Sequence, residues 1–279
     1  MQNQWIRRLR AAAVGGLLGL MAAYPQEAMA AARDACRLWA AGVMPALFPY
    51  MVFSQLLMAA LRGRWLLAPL AMLGGSPAGS RLIALSQLPR PKAQALAALC
   101  ATASPLFILG TLSGGARMLA AHWLGAVCAY GAVRLLQART AMEAPIPVAA
   151  MAAPLPRAGL TESIRDAALA MINVCGCMAL FSVVSALLVK LLPLPPSGYA
   201  LLSAILEMAS GCARVQGLGL PVAMTAPLLC ATVSFGGLSV FMQNAVFLKP
   251  AGVNLRVQFA ARCLHALAAG GICALLYRL

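Results

Sequence analysis

Six long apolar stretches constrain the fold of this chain more than any other feature of its sequence. Each is close to the roughly 20 residues that a helix needs to cross the hydrocarbon core of a bilayer. The composition agrees, because 62% of the residues are hydrophobic and 10% are charged, against roughly 45–50% and 25% in soluble proteins. We therefore predict an all-α membrane protein with several spans. The predicted spans are residues 45–61, 93–115, 118–136, 172–192, 222–248 and 257–277.

Residues 1–30 form a separate N-terminal region that has two interpretations. Arg7, Arg8 and Arg10 precede an apolar run over residues 11–24, and Ala28-Met29-Ala30 fits a signal-peptidase site. The region is therefore either a first transmembrane helix or a cleaved signal peptide. In both cases the arginines stay in the cytoplasm.

Two further apolar stretches are broken in the middle and are too short to cross comfortably. Residues 65–73 and 81–88 flank a glycine- and proline-containing break at 74–79, and residues 199–206 and 214–218 flank a second break at 207–211. Glycine and proline interrupt helices at such positions. A helix–break–helix of this length predicts a re-entrant hairpin, whose irregular backbone must be buried in protein or face a watery cavity.

The two halves of the chain resemble each other. Residues 99–104 and 229–234 match at five of six positions, and Asp34-Ala35 and Asp166-Ala167 open the two halves. Gly79 lies 45 residues after Asp34, and Gly211 lies 45 residues after Asp166. We predict a first repeat over residues 31–136, a cytoplasmic linker over 137–161 and a second repeat over 162–279.

The number of spans and the charges of the loops predict that the second repeat is inverted. Each repeat has three predicted spans, and an odd number reverses the direction in which the next repeat starts. Twelve basic residues then fall on the cytoplasmic side and five on the external side, as the positive-inside rule requires. Inverted repeats with broken helices are an architecture of secondary transporters, which bind ligand near the midplane at the breaks.

Several functional classes find no support in the sequence. The net charge of +15 comes from scattered basic residues without an aromatic platform, which argues against nucleic-acid binding. The nine cysteines are odd in number and form no CxxC motif, so we interpret them as small apolar residues rather than metal ligands. No catalytic motif or acidic pair is present. We therefore expect neither an enzyme nor a cofactor.

Four motifs resemble those of a known family and occur in the same order. They are Pro-Ala-Leu-Phe-Pro-Tyr at 45–50, Gly-Ser-Pro-Ala-Gly-Ser-Arg at 75–81, Ala-Ser-Pro-Leu-Phe-Ile-Leu-Gly-Thr at 103–111 and Phe-Gly-Gly-Leu-Ser-Val at 235–240. The chain resembles the YlbJ-like sporulation integral membrane proteins, which carry nucleoside-recognition (Gate) domains. That resemblance implies a bacterial cell membrane, a role in spore formation, and a fold similar to parts of nucleoside and ferrous-iron transporters.

Proline and glycine also interrupt the two repeated spans, at Ser104-Pro105 and at Phe235-Gly236-Gly237. Polar residues at these breaks and at the hairpin breaks are the candidate ligand-binding residues. Glu207 is the only acid inside a predicted intramembrane segment, where an ionisable group is costly and usually functional. Its alternative role is to pair with Arg214 or to cap backbone groups at the break. Serine and threonine at such positions can instead hydrogen bond within their own helices. The other candidates are Ser76, Thr102, Ser104, Ser210, Thr232, Ser234, Gln243 and Asn244, whereas His122 and His265 are interpreted as packing or interfacial residues.

Two functions fit these features. The first is a transporter or permease that binds a small solute between the hairpins and broken helices, driven by a coupling ion because no ATP site is present. The second is a non-transporting structural or assembly component of the sporulation membrane. The lipid bilayer is the expected partner of both, and a homo-oligomer is left open.

Overall fold

Helices make up the computed structural model, which describes residues 2–61, 66–100, 102–112, 114–139 and 159–278. Within these ranges no residue lies in a β-strand. Large apolar side chains face outward along the helices, among them Phe53 at 67% exposure and Leu267 at 76%. A soluble protein would bury many of these groups. The outward-facing apolar surface therefore agrees with a lipid environment, and the all-α class is confirmed.

The first half begins with a separate N-terminal helix and continues with one long bent helix. A π-helical turn, Trp39–Val43, joins α2 to α3 without a break, so the helix runs through Pro49. A short hairpin, a broken helix and a long helix follow. The helices are α1 (Gln2–Ala23), α2 (Pro25–Leu38), α3 (Met44–Leu61), α4 (Leu67–Gly74), α5 (Ala78–Leu85), α6 (Arg90–Cys100), α7 (Pro105–Thr111) and α8 (Gly115–Arg139).

The second half has the same order of elements. It begins with a long helix, continues with a hairpin and a broken helix, and ends with another long helix. Its helices are α9 (Leu160–Leu191), α10 (Pro196–Leu206), α11 (Met208–Gln216), α12 (Val222–Phe235), α13 (Gly237–Leu248) and α14 (Leu255–Leu276). Both predicted hairpins and both broken helices are therefore present as helical segments in the predicted order.

Six helical segments are long and apolar enough to cross a membrane, three in each half of the described chain. They are Pro25–Ala60, Arg90–Thr111, Gly115–Arg139, Leu160–Leu191, Val222–Leu248 and Leu255–Leu276. The number of spans agrees with the prediction, but the first span starts at Pro25 instead of residue 45. The predicted domain boundaries at residues 30 and 161 fall inside α2 and α9. Most of the predicted linker, residues 140–158, lies outside the described residues.

The two hairpins close through glycines that allow helices to approach at backbone distance. A Cβ added to Gly79 would lie 2.5 Å from the carbonyl oxygen of Ala71 and 2.8 Å from that of Cys100. A Cβ added to Gly211 would overlap the backbone of Ala204. These contacts join α4 to α5 and α10 to α11, so glycine is required where each hairpin folds back on itself.

Several apolar clusters hold the helices together, and Phe107 packs against two of them. The first cluster is centred on α8, α12 and α14 and includes Ala121, Cys230 and Ala269. The second joins α3 to α9 and includes Met171. Because Phe107 lies on the broken helix of the first half, that element connects the two clusters. The space between them contains the candidate site.

Candidate functional site

The breaks of the hairpins and broken helices surround one internal cavity. Its volume is about 40 Å³, which is room for about three water molecules at roughly 10–15 Å³ each. Apolar side chains such as Leu47, Phe107 and Met178 form much of its wall. The polar residues that line it are Ser76, Thr102, Ser104, Glu207, Gln243 and Arg262. Five of the nine predicted binding residues therefore share one cavity.

In the first half, the hairpin tip contacts the break of the broken helix. The backbone N–H of Ser76 donates to the carbonyl of Thr102 over 2.5 Å. Gly75 has a φ of +62°, and a Cβ there would overlap the backbone nitrogen of Ser104. Ser104 itself caps α7, because its hydroxyl accepts from the N–H of Phe107 at 3.2 Å. Some of the hydrogen-bonding groups at the break are therefore used to stabilise the break itself.

In the second half, Glu207 forms the hairpin break by itself. It separates α10 from α11, and its carboxylate accepts from the backbone N–H groups of Ala209 at 3.1 Å and Ser210 at 2.7 Å. A carboxylate at a helix N-terminus is favoured by the helix dipole. The predicted break at 207–211 is thus shorter than expected, because residues from Met208 onward are already helical. The break in the neighbouring helix lies close by, since a Cβ on Gly237 would be 3.0 Å from the nitrogen of Met208.

Glu207 does not pair with Arg214, so that alternative is wrong and the capping alternative is confirmed. Glu207 is 1% exposed, whereas Arg214 is exposed on the last turn of α11. Among the described residues, no ion pair involves Glu207. Its third partner is the hydroxyl of Ser239, at 3.5 Å. The carboxylate is therefore stabilised by neutral donors and faces a cavity.

Asn244 links the second half to the hairpin of the first. Its Nδ2 donates to the hydroxyl oxygen of Ser76 at 3.0 Å, and its Oδ1 accepts from Ser80 at 2.9 Å. Asn244 is 1% exposed. Its amide is thus used on both sides by structural contacts, and it lies outside the cavity wall.

Three other predicted residues also lie outside the cavity. Thr232 donates to the carbonyl of Leu228 one turn earlier, at 2.8 Å. The hydroxyl of Ser210 lies 3.3 Å from that of Ser182. Ser234 lies in the last turn of α12, and its hydroxyl is 2.8 Å from Nδ1 of His122. All three use their hydroxyl groups for packing within the helical core.

Arg262 is a cavity residue that was not among the candidates predicted from the sequence. It is 3% exposed, and its Nε–H donates to the carbonyl of Phe235 at 2.6 Å. Its guanidinium also occupies the space beside Gly236, where a Cβ would overlap Nη2. An arginine inside the span 257–277 was the available signal, because such residues are rare in membranes and mark functional sites.

The two histidines form a buried pair behind the second break. Their ring centroids are 4.7 Å apart, and Nε2 of His265 lies 2.8 Å from the carbonyl oxygen of His122. Both are at most 1% exposed. Their burial agrees with the packing role predicted from the sequence and excludes an interfacial position. Through Ser234, the pair also supports the end of α12.

Two polar groups of the cavity have no partner in the described part of the chain. The hydroxyl of Thr102 is fully buried and makes no hydrogen bond. Gln243 is 2% exposed, and none of the hydrogen bonds between described residues uses its side-chain amide. Buried polar groups without partners are costly and rare. These two groups therefore remain available to a molecule inside the cavity.

An ion pair between the halves lies away from the cavity. Nη2 of Arg81 is 3.1 Å from a carboxylate oxygen of Asp166 and 2.5 Å from Oε1 of Gln55. The Arg81 side chain is 7% exposed. Asp34 and Arg214 are the residues that correspond to Asp166 and Arg81 in the other repeat, and they are both on the surface. Asp34 contacts Arg37, with both side chains 73% exposed, and Arg214 is also exposed.

The described residues contain no group of three or more histidine, cysteine, aspartate or glutamate side chains that could hold a metal ion. The cavity wall offers hydrogen-bonding groups, one acidic side chain and one basic side chain instead. Such a set of groups can bind and orient a small polar molecule. Comparison with known protein families, curated proteins and solved structures gives no match for this chain.

Proposed function

We propose that this protein is a membrane transporter or permease that binds a small polar solute in the cavity between the hairpins and the broken helices. The observation that carries the proposal is the convergence of Ser76, Thr102, Glu207 and Gln243, from four different elements of both halves, on one cavity. Discontinuous helices that meet around a site are typical of secondary transporters. The resemblance to Gate-domain proteins supports the same function.

The mechanism we propose is a rocking of two inverted repeats in the cell membrane, with the N-terminus in the cytoplasm. In that arrangement the Arg81–Asp166 pair lies toward the cytoplasmic side. Asp34 and Arg214 are the repeat-related residues, and inversion puts them toward the external side. Rocking would separate Arg81 from Asp166 and bring Asp34 to Arg214. The cytoplasmic side, where Arg81 contacts Asp166, is then closed, and the external side, where Asp34 and Arg214 are exposed, is open.

Cross-linking of paired cysteines tests this mechanism without knowledge of the solute. In a background without native cysteines, one variant carries Arg81→Cys with Asp166→Cys, and a second carries Asp34→Cys with Arg214→Cys. A third variant carries all four changes. We expect each pair to cross-link alone in membranes, and the fourfold variant to close only one of the two pairs in any one molecule.

A matched control comes from Ser185 and Ser203, whose hydroxyls lie 3.1 Å apart and join α9 to α10 within the second half. Both residues belong to one repeat, so their cysteine variant should cross-link in every molecule, whichever side of the protein is closed. Cross-linking of both the 81–166 pair and the 34–214 pair in one molecule would overturn the rocking mechanism. Failure of the Asp34–Arg214 pair to close at all would favour the alternative function, a static assembly component of the sporulation membrane.

A further inference from the structure

We propose that the cavity binds a small zwitterion, with its ammonium group at Glu207 and its carboxylate at Arg262. This inference rests on the proposed transport function and specifies the solute class. It combines three observations that the transport proposal does not need: one acidic and one basic side chain in the cavity wall, two polar groups without partners, and the size of the cavity.

The cationic part of the solute is indicated by Glu207. Its carboxylate is 1% exposed and has no ion-pair partner in the described ranges, although two backbone amides and Ser239 contact it. These neutral donors orient the carboxylate without cancelling its charge. A buried carboxylate without a direct ion-pair contact is costly even when an arginine lies elsewhere in the same cavity wall, so a ligand with a positive group is favoured beside Glu207. An ammonium group supplies both the charge and donors for the remaining lone pairs.

The anionic part of the solute is indicated by Arg262. The Gly236-Gly237 break lies between the two charged residues: Gly236 contacts the guanidinium, and Gly237 contacts the backbone at Glu207. A guanidinium presents donors in a fork that matches a carboxylate. Glu207 and Arg262 are the ionisable side chains of the described cavity wall, so its formal charge is zero. A solute with a net charge would disturb this balance in a medium of low dielectric constant.

The groups without partners complete the site. Thr102 comes from the break of the first half and Gln243 from α13 of the second, and both line the cavity. One hydroxyl and one amide can both donate and accept hydrogen bonds, so they can bind either end of a zwitterion. The volume of about 40 Å³ limits the solute to a handful of non-hydrogen atoms. Glycine is the smallest zwitterion of this type.

Equilibrium binding to the purified full chain tests the inference. The probes are glycine, methylammonium and acetate, which carry both charges, the positive charge and the negative charge respectively. We expect glycine to bind and to raise Tm, and each singly charged probe to bind more weakly by about tenfold or more, because each lacks one charged contact. Binding of glycine should fall by a similar factor in Glu207→Gln and in Arg262→Gln. Arg256→Gln is the matched control, because Arg256 is an exposed arginine on the same helix as Arg262, and it should bind glycine normally.

Two further variants keep the test decisive if Glu207→Gln and Arg262→Gln do not fold. Thr102→Val and Gln243→Leu remove only the groups without partners, and each should weaken glycine binding several-fold while the protein stays folded. Equal binding of methylammonium and glycine would overturn the inference and indicate a cation site. Absence of glycine binding would also overturn it. Neither result affects the cross-linking test, so the solute class and the transport mechanism can fail separately.

Discussion

Asn244 and Ser76 come from opposite halves of the chain, and their side chains are joined by a partly buried hydrogen bond of 3.0 Å. The same asparagine accepts a second hydrogen bond from Ser80. The first hairpin is therefore held by the broken helix of the other half, next to the cavity. Any change in the relative position of these elements must keep or break this contact.

Asn244→Leu should destabilise the protein by about 2–4 kcal/mol, because the hydroxyls of both Ser76 and Ser80 lose a buried partner. The measurement is the thermal unfolding temperature in detergent. Gln216→Ala, at an exposed position of α11, is the control and should have almost no effect. An equal loss in both variants would show that the inter-half hydrogen bonds contribute nothing specific.

Gly211→Ala should reduce stability by about 1–3 kcal/mol, because the new methyl group would overlap the backbone of Ala204. Gly79→Ala should have a similar effect through the carbonyls of Ala71 and Cys100. Gly176 lies in the middle of α9, and a methyl group added there would meet no atom within 4 Å. Gly176→Ala should therefore be neutral or slightly stabilising. Unchanged stability in the hairpin variants would contradict the close approach of the helices.

Combining Glu207→Gln with Arg214→Gln should not restore what Glu207→Gln loses. The single Glu207 change should cost about 0.5–2 kcal/mol, since it weakens the cap of α11. Arg214→Gln alone should be close to neutral, because the arginine is exposed and does not contact Glu207. Unfolding curves of the three variants measure the coupling. Recovery of stability in the double variant would mean that the two residues do interact.

Thr102→Val should leave stability unchanged or raise it by about 1 kcal/mol, because the threonine hydroxyl is buried without a partner. The repeat-related change Thr232→Val is the control. It removes a hydrogen bond of 2.8 Å to Leu228 and should lower stability by about 1 kcal/mol. If Thr102→Val were the more damaging of the two, its hydroxyl would have a structural role.

Single cysteines at Ala149 and Ser197 should be labelled from opposite sides of intact cells, in a background without native cysteines. Ala149 lies in the predicted cytoplasmic linker. Ser197 lies between the predicted span 172–192 and the second hairpin, in a segment that inversion of the second repeat puts on the external side. The charge bias and the odd number of spans motivate this expectation. A membrane-impermeant reagent that labels both positions from one side would rule out inversion of the second half.

The sequence predicted the elements of the fold better than the ends of those elements. Ser104 and Ser234 occupy matching positions in the repeated segment, yet the chain is extended at Ser104 and helical at Ser234. Pro105 explains the difference, because proline disfavours a helical conformation in the residue before it. Phe235 has no such effect, so the second helix continues to Gly236, where φ is +77°.

The candidate site was predicted in part, for a reason that lies in side-chain direction. Ser76, Thr102, Ser104, Glu207 and Gln243 line the cavity, as expected for polar residues at breaks. Asn244 follows Gln243 on the same helix but points elsewhere, since neighbouring residues on a helix face different directions. Arg262 reaches the cavity from a further element, α14. Its approach depends on how that helix packs behind the Gly236 break, which no local pattern encodes.

Phe107 has a consequence for how the whole protein loses its structure. Its ring packs against the α8–α12–α14 cluster and against the α3–α9 cluster, and its backbone is fixed by Ser104. Both clusters therefore gain from the same side chain, and neither can loosen without weakening the other. This shared contact therefore favours cooperative unfolding of the two groups of helices. Without the ring, α11 would still join the clusters through Ala209 and Cys212, so we expect a broader unfolding transition rather than two separate ones.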